Sequence, residues 1–405
     1  HRALRHLKEP LREAMQRETA FIRADCEEVV QSSLDYVHDF RHSLRSIRRP
    51  LVAPIKYQFD GQDRQIRLVS SPWGTVAAIL PQSAFLITAV TCLMNGLASS
   101  NRVILRAPLQ GARSAALLAL ALETARPPHE TVSLVQVRSR EFVSALNRSP
   151  LPCLIHYMGS SRYAPEIHSD AFQRGNGVII DGEGNTWVWV GEDFDLETAA
   201  DILTASAIRY NGQTCTSING AMLHPAIYPQ LKELLIQRWR ALKAGNPLTE
   251  DVNVGPLLDE MQGEWCERRI KESGGVILCG GQRAGNLLHP TLVDQPSPHS
   301  ALVTDGLFGS AMWITSGDQD EFISWWPCNR FKLCAGVLSP SADLSWWLPR
   351  LPNLARLTLN GEPTVEHIFE PWGGYPESGV NPVGTWREKY QRIVAVDEPV
   401  LPREQ

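Results

Sequence analysis

The sequence predicts a two-lobed α/β protein built on parallel sheets, and three observations carry that expectation. The chain has 405 residues, more than one compact core of ~150 residues usually uses. Hydrophobic residues make up 43% and charged residues 20%, a globular balance rather than a disordered one. From Gly74 onward, apolar runs of strand length alternate with helical stretches. That is the pattern of βαβ units, which carry ligands at the carboxyl ends of their strands.

Residues 1–48 read as helices, because Leu11, Met15, Ile22, Val30, Leu34 and Val37 recur at helical spacing among charges. Residues 55–69 are two short alternating runs around Asp60-Gly61, a hairpin signal. Then come a strand over 74–80, a helix over 85–97, a strand over 102–106 and a helix over 112–124. Further short elements fall at 131–137, 140–146, 154–157 and 177–180. A second lobe begins near Asp181, with a long helix over 196–210, a strand over 221–224 and a helix over 228–242. Residues 274–293 are Gly-rich and read as strand and turns. The twelve Trp residues read first as core packing and second as the lining of an aromatic tunnel.

Composition excludes several function classes. With 39 basic and 44 acidic residues, the net charge of −5 argues against a nucleic-acid partner held by a basic face. No apolar run reaches the ~18 residues of a membrane span, and the charged N-terminal stretch has no apolar signal core. Eight cysteines without a CxxC pair argue against a disulfide framework or structural zinc, so no metal and a reducing, cytoplasmic compartment are expected. The chain opens on His1 rather than Met, as a trimmed chain or fragment would.

Walker, HExxH, GxSxG and EF-hand spacings are absent, and no GxGxxG follows the first strands. The informative stretch is Asn211-Gly-Gln-Thr-Cys215-Thr-Ser. Cys215 sits among turn residues, where backbone N–H groups can lower a thiol pKa and stabilise an oxyanion. Read from residue types alone, it is either such a thiol or a small buried hydrophobe.

Motifs in order from Ser71 to the C-terminus resemble the aldehyde dehydrogenase superfamily. They are Pro72-Trp-Gly74, Asn101-Arg-Val-Ile-Leu-Arg106, His156-Tyr-Met-Gly159-Ser160, the DFDLETAA segment from Asp193, Asn211-Gly-Gln-Thr-Cys215, Val254-Gly-Pro-Leu257, Leu307-Phe-Gly309, Asn360, Pro371-Trp-Gly-Gly374 and Ser378-Gly379. The resemblance implies three parts. A Rossmann-type nucleotide-binding domain would take 1–53 and 71–180, an α/β catalytic domain 181–385, and a β-hairpin oligomerisation element 54–70 and 386–405. It also implies NAD or NADP as cofactor, held by Leu80, Pro81, Arg106, Gly159, Ser160 and Phe308, and a homodimer or homotetramer.

The chemistry the resemblance implies is thioester chemistry. The Cys215 thiolate adds to an aldehyde, a hydride leaves to a nicotinamide, and a carboxylate activates water to release the acid. An ungapped count from DFDLETAA puts Asp181, 34 residues before Cys215, at the position of that carboxylate, with Glu183 two residues on. Departures are visible. Asp181 is a methylene shorter than the family's Glu. The oxyanion-binding Asn position is Ser83, with Gln82 the only nearby amide. The acid that holds the nicotinamide ribose matches Gly306, beside Asp305, and the P-G-x-G nucleotide loop has no counterpart near Gln136. The Gly182-Glu-Gly-Asn-Thr186 stretch is similar to acyl-CoA and acyl-phosphate reductases, which run the same chemistry toward aldehyde. The main expectation is an NAD(P)-dependent aldehyde dehydrogenase acting on a small aldehyde. The alternatives are an acyl reductase of the same fold and a degenerate, non-catalytic member.

Overall fold

A computed structural model describes residues 1–46 and 53–400. The last two residues of the 1–48 helical reading, and the last five of the 386–405 tail, lie outside the described residues. Three N-terminal helices, Arg2–His6, Lys8–Thr19 and Arg23–Ser46, bury Leu11, Met15, Cys26, Val30 and Leu34 against the first lobe.

The first lobe's sheet is parallel in its five central strands. In space they run Gly177–Asp181, Leu154–Met158, Thr75–Ile79, Arg102–Arg106 and Val132–Val135. Chain order therefore reverses between Thr75–Ile79 and Leu154–Met158, the switch point at which such sheets open a ligand crevice. Ile79 is in register with both Arg106 and Tyr157, and Met158 with Asp181. Leu80, Pro81, Arg106, Gly159, Ser160 and Asp181 consequently share one edge. Strands Trp372–Gly374 and Gly379–Gly384 extend this sheet beside Gly177–Asp181. The first sheet thus takes in residues that the sequence grouped with the second lobe.

The second sheet also has seven strands. Its central four are Ala311–Ser316, Ile218–Leu223, Thr186–Val190 and Cys334–Leu338, all parallel and fully packed. Trp187, Trp313, Trp326 and Trp347 are at most 1% exposed, and the Trp187 and Trp313 rings meet edge-on at 5.3 Å. These four Trp residues are core, in keeping with the first of the two readings of the Trp-rich sequence.

A three-stranded antiparallel sheet stands apart. The hairpin of Ile55–Phe59 and Gln62–Pro72 turns at Asp60 and Gly61, both with positive φ, and pairs with Gln391–Pro399. Among the described residues, no helix is long and apolar enough to cross a membrane, and no group of three or more His, Cys, Asp or Glu is placed to hold a metal ion.

Candidate active site

The nucleophile turn is fixed by its own sequence. Helix Leu196–Ile208 ends, and Tyr210, Asn211 and Gly212 follow with φ of 54°, 57° and 67°. Asn tolerates this left-handed region, and a Cβ on Gly212 would come within 2.4 Å of the Gly309 backbone. The Asn211 amide donates to the carbonyls of Ala20 (3.0 Å) and Pro256 (3.1 Å) and accepts from the Gly255 N–H at 2.8 Å. Asp25 accepts the Tyr210 N–H at 2.9 Å. Gly184 lies on the same turn, where a Cβ would sit 1.9 Å from the Cys215 carbonyl oxygen. Both lobes and the N-terminal helices therefore grip the loop that carries Cys215.

Cys215 keeps partial access to solvent. Burial pushes its thiol up, and the carboxylates of Glu366 and Asp181 push it further. The turn was expected to lower this pKa. Desolvation and two nearby negative charges outweigh the one opposing influence, a hydrogen bond with the Thr214 side chain.

Asp181 ends its strand beside this turn. Its Oδ2 lies 2.7 Å from His156 Nε2, and its Oδ1 accepts from the Asn381 amide at 2.6 Å. Behind it, His156 Nδ1 lies 2.7 Å from the Tyr390 hydroxyl, which is 3.1 Å from Cys92 Sγ. His156, Tyr390 and Cys92 have no exposed surface. Lys389 is near, its ammonium lowered to about 8 by burial and tied to the Trp372 carbonyl.

Glu183 does not join this group. Its carboxylate accepts the Ser161 N–H at 2.5 Å, and its own N–H donates to Ser161 Oγ at 3.2 Å. It faces a separate cleft of about 990 Å³ between the lobes. Ser160, Arg162 and His168 line one wall; Trp265, Arg269, Phe308, Arg330 and Phe331 line the other. The cleft opens from the carboxyl edge of the first sheet and combines cations with flat apolar faces, a donor set that fits a dinucleotide. Leu80, Pro81, Gly159 and Arg106 stand on the same sheet edge but off this wall. Leu80 N–H donates to the Arg106 carbonyl at 3.1 Å, and buried Arg106 donates from Nε to the Val137 carbonyl at 2.8 Å.

Three further positions differ from the sequence expectations. Gln82 donates its amide to the Glu18 carbonyl at 2.7 Å, which holds it to the N-terminal helix and leaves Ser83 without an amide beside it. A Cβ at Gly306 would lie 2.6 Å from Asn185 Oδ1 and 2.9 Å from Asn219 Oδ1, so no acid fits there. Neighbouring Asp305 is engaged by Arg269 at 2.8 Å and Arg330 at 3.2 Å. Asn185, the residue behind the likeness to acyl reductases, is buried and donates to the Val303 and Thr304 carbonyls at 2.8 and 3.1 Å.

Glu366 escaped the sequence reading. Its Oε1 accepts from the Thr216 hydroxyl at 2.9 Å, across 150 positions of sequence. No motif marks it. His156 carried a faint signal, since a polar side chain inside the wholly buried Leu154–Met158 strand must be hydrogen-bonded.

The Aldehyde dehydrogenase family profile matches residues 1–396. The sulfoacetaldehyde dehydrogenase of Neptuniibacter caesariensis is 25% identical over 317 residues, covering 77% of this chain and 69% of its own. A benzaldehyde dehydrogenase of Bacillus subtilis is 25% identical over 341 residues, covering 81% and 68%. Among solved structures, the NADP-dependent glyceraldehyde-3-phosphate dehydrogenase of Bacillus halodurans, complexed with NADP, superposes with a TM-score of 0.87 at 23% identity, over 98% of this chain and 84% of that one. Profile, relatives and fold agree with the cysteine turn and the interlobe cleft: the chain belongs to the aldehyde dehydrogenase family.

Proposed function

We propose that this chain oxidises an aldehyde to a carboxylic acid with NAD or NADP, using Cys215 as nucleophile. The observation that carries the reading is the Cys215 turn, clamped by both lobes, with the Asp181 carboxylate beside it and a dinucleotide-sized cleft next to it. As a thiolate, Cys215 forms the C–S bond to the carbonyl carbon. When bound, the dinucleotide supplies the hydride acceptor. Asp181 then takes a proton from water, the oxygen of that water attacks the thioester, and the Cys215 sulfur leaves. His156 and Asn381 hold the Asp181 carboxylate in place for this step. Ser160, Phe308, Arg162 and Arg269 flank the bound dinucleotide in the cleft; Leu80, Pro81, Gly159 and Arg106 support its nucleoside end from the sheet edge.

We also propose a homodimer or a dimer of dimers, built through the three-stranded sheet. The substrate is a small aldehyde.

The test is a direct screen. Purified protein is given aldehydes with NAD or NADP, and acyl-CoAs with NADH or NADPH, while absorbance at the nicotinamide band is followed. Aldehyde-dependent reduction of NAD or NADP is expected. Turnover of acyl-CoA with NADPH and none with aldehydes would move the chain to the reductive branch.

A further inference from the structure

The loop between Asn360 and Pro371 is built around one guanidinium. Arg356 donates from Nη1 to the Pro363 carbonyl at 2.7 Å and from Nη2 to the Val365 carbonyl at 2.9 Å, and pairs through Nε with Glu370 at 2.5 Å. Thr364 adds a hydroxyl contact of 3.3 Å to Ser206. These ties fix the backbone on both sides of Glu366 and deliver its carboxylate to Thr216, the residue after Cys215.

Three carboxylates stand on this loop, and they are treated differently. Glu362 is paired with Arg209 at 3.1 Å, and Glu370 with Arg356. Glu366 has the Thr216 hydroxyl as its partner and, among the described residues, no ion pair. Its residue is exposed to solvent while its carboxylate is turned inward onto the buried Thr216, and it lies off the dinucleotide cleft. Of the charges that act on the Cys215 thiol, its own is the strongest. A rigid loop thus presents beside the nucleophile one carboxylate that feels Arg356 only at a distance and has no direct ion pair among the described residues, on a side the dinucleotide does not need. Surrounding protein raises this carboxyl to about 7, so a cation arriving beside it is met by a group that gains from the pairing.

We propose that Glu366 is a charge-selecting subsite, and that the chain takes aldehydes bearing an ammonium or quaternary ammonium group a few carbons from the carbonyl while rejecting anionic ones. The proposal rests on Cys215 being the nucleophile of an aldehyde-oxidising enzyme. Unlike charges attract, and a carboxylate substrate placed beside Glu366 meets like-charge repulsion.

The test compares three substrates of similar reach: 3-(trimethylammonio)propanal, its neutral isostere 4,4-dimethylpentanal, and succinate semialdehyde. kcat/KM is measured from nicotinamide absorbance for the wild type, Glu366→Gln, Glu366→Asp and Glu366→Lys, with thermal transitions to establish folding. The wild type should prefer the cation by about tenfold or more over the neutral aldehyde, and disfavour the anion by a similar factor. Glu366→Asp should keep that order, Glu366→Gln should bring the cation-to-neutral ratio close to one, and Glu366→Lys should favour the anion. Equal kcat/KM for cation and neutral aldehyde in the wild type would overturn the proposal, as would an unchanged ratio in the Gln variant. Loss of all turnover in folded Gln and Asp variants alike would assign Glu366 to the chemistry and overturn it too. A wild type that oxidises none of the three would instead remove the aldehyde-oxidising reading on which the proposal stands.

Discussion

The carboxylate of Asp181 and the imidazole of His156 lie 2.7 Å apart on neighbouring parallel strands, with the Asp181 carboxylate beside the nucleophile and the His156 ring wholly buried. The row behind them is hydrogen-bonded from end to end: the Tyr390 hydroxyl donates to Cys92 Sγ, its oxygen lies 2.7 Å from His156 Nδ1, and His156 Nε2 lies 2.7 Å from Asp181 Oδ2. The row locks one orientation of a carboxylate that is shorter than the family's Glu. Asp181→Asn should therefore stall after acylation, with acyl-Cys215 accumulating in the intact-mass spectrum and kcat down about 10²- to 10⁴-fold. His156→Phe should slow deacylation more than acylation and shift its pH profile, because Asp181 loses the partner that orients it. If Glu183→Gln accumulates acyl-enzyme and Asp181→Asn does not, the base is misassigned.

Cys215 is held as a thiol in the resting enzyme, by burial and by Glu366 and Asp181. Alkylation by iodoacetamide should be slow near pH 7 and rise steadily into the alkaline range, since raising a thiol pKa removes thiolate at neutral pH. Glu366→Gln should speed labelling of Cys215 at pH 8 by removing the larger of the two charges. Cys215→Ala should abolish turnover. Activity close to wild type in that variant would take Cys215 out of the mechanism.

Asp25 ties the first lobe to the nucleophile turn. It is 7% exposed and accepts the Tyr210 N–H. Burial raises its carboxyl to about 6, against the opposing pull of that hydrogen bond and of Arg209, with Glu28 adding to the rise. A carboxyl whose folded pKa exceeds its unfolded value binds more protons when folded. Its contribution to stability is present below about pH 4 and lost as pH rises through about 6. Asp25→Asn keeps the acceptor oxygen and removes the charge. Differential scanning calorimetry should show a higher Tm than wild type at pH 8, with the gain shrinking toward pH 4. A variant destabilised at pH 8 but not at pH 4 would show instead that the charge itself fixes the turn through Arg209.

Much of the fold was legible in the sequence because its signals are local. Asp60-Gly61 turned the hairpin as read, and the run from Gly74 gave the Thr75–Ile79 strand. Helix Phe85–Ala98 followed Pro81 as its apolar content suggested. The site was legible only where it is contiguous. The NGQTC turn could be read as a turn, and the ungapped count from DFDLETAA picked out Asp181, whose charge acts on the Cys215 thiol. The rest is assembled by long-range packing: Glu366 reaches Thr216 across 150 positions, and Tyr390 reaches His156 across 234. Gln82 illustrates the converse. Its amide suited an oxyanion by type, yet the Glu18 carbonyl, 64 positions away, claims it. Polar groups near a site go to whichever partner burial offers, and one chain's sequence does not say which.

In the proposed cofactor site, Glu183 and Arg106 are expected to act with opposite sign. Glu183 places its carboxylate on the Ser161 N–H, at the wall of the interlobe cleft where a dinucleotide phosphate would approach. Arg106 stands at the end of its strand with, among the described residues, no carboxylate partner. Glu183→Gln should lower the KM for NAD or NADP about three- to tenfold with little change in kcat, by removing like charge from the phosphate path. Arg106→Ala should raise KM more than it lowers kcat. If neither variant moves KM for either nucleotide, the dinucleotide lies elsewhere.

The three-stranded sheet predicts the assembly. Ile55–Phe59 and Gln391–Pro399 flank Gln62–Pro72, so both outer strands present unpaired backbone edges. Ile55 and Phe59 are 60% and 68% exposed, and Ile393 and Val394 are 46% and 45% exposed. Open edges carrying apolar side chains invite pairing with another chain, and a small three-stranded sheet is marginal alone. Tyr57, Arg64 and Arg67 tie the hairpin to Asp397 and Glu398 of the last strand. The tail therefore cannot leave without exposing the hairpin further. Closed two-fold assembly is the usual outcome for one self-complementary surface. Light scattering should give at least twice the 45.1 kDa of one chain. Deleting residues 392–405 should shift the mass toward monomer and lower Tm, because eight of the nine residue pairs in the sheet's longest pairing, that with Gln62–Pro72, go with it. Phe59→Lys tests the surface without touching that pairing: it should weaken self-association while leaving the monomer's fold intact by circular dichroism. An intact chain that is monomeric at micromolar concentration would mean that this sheet serves something other than self-assembly.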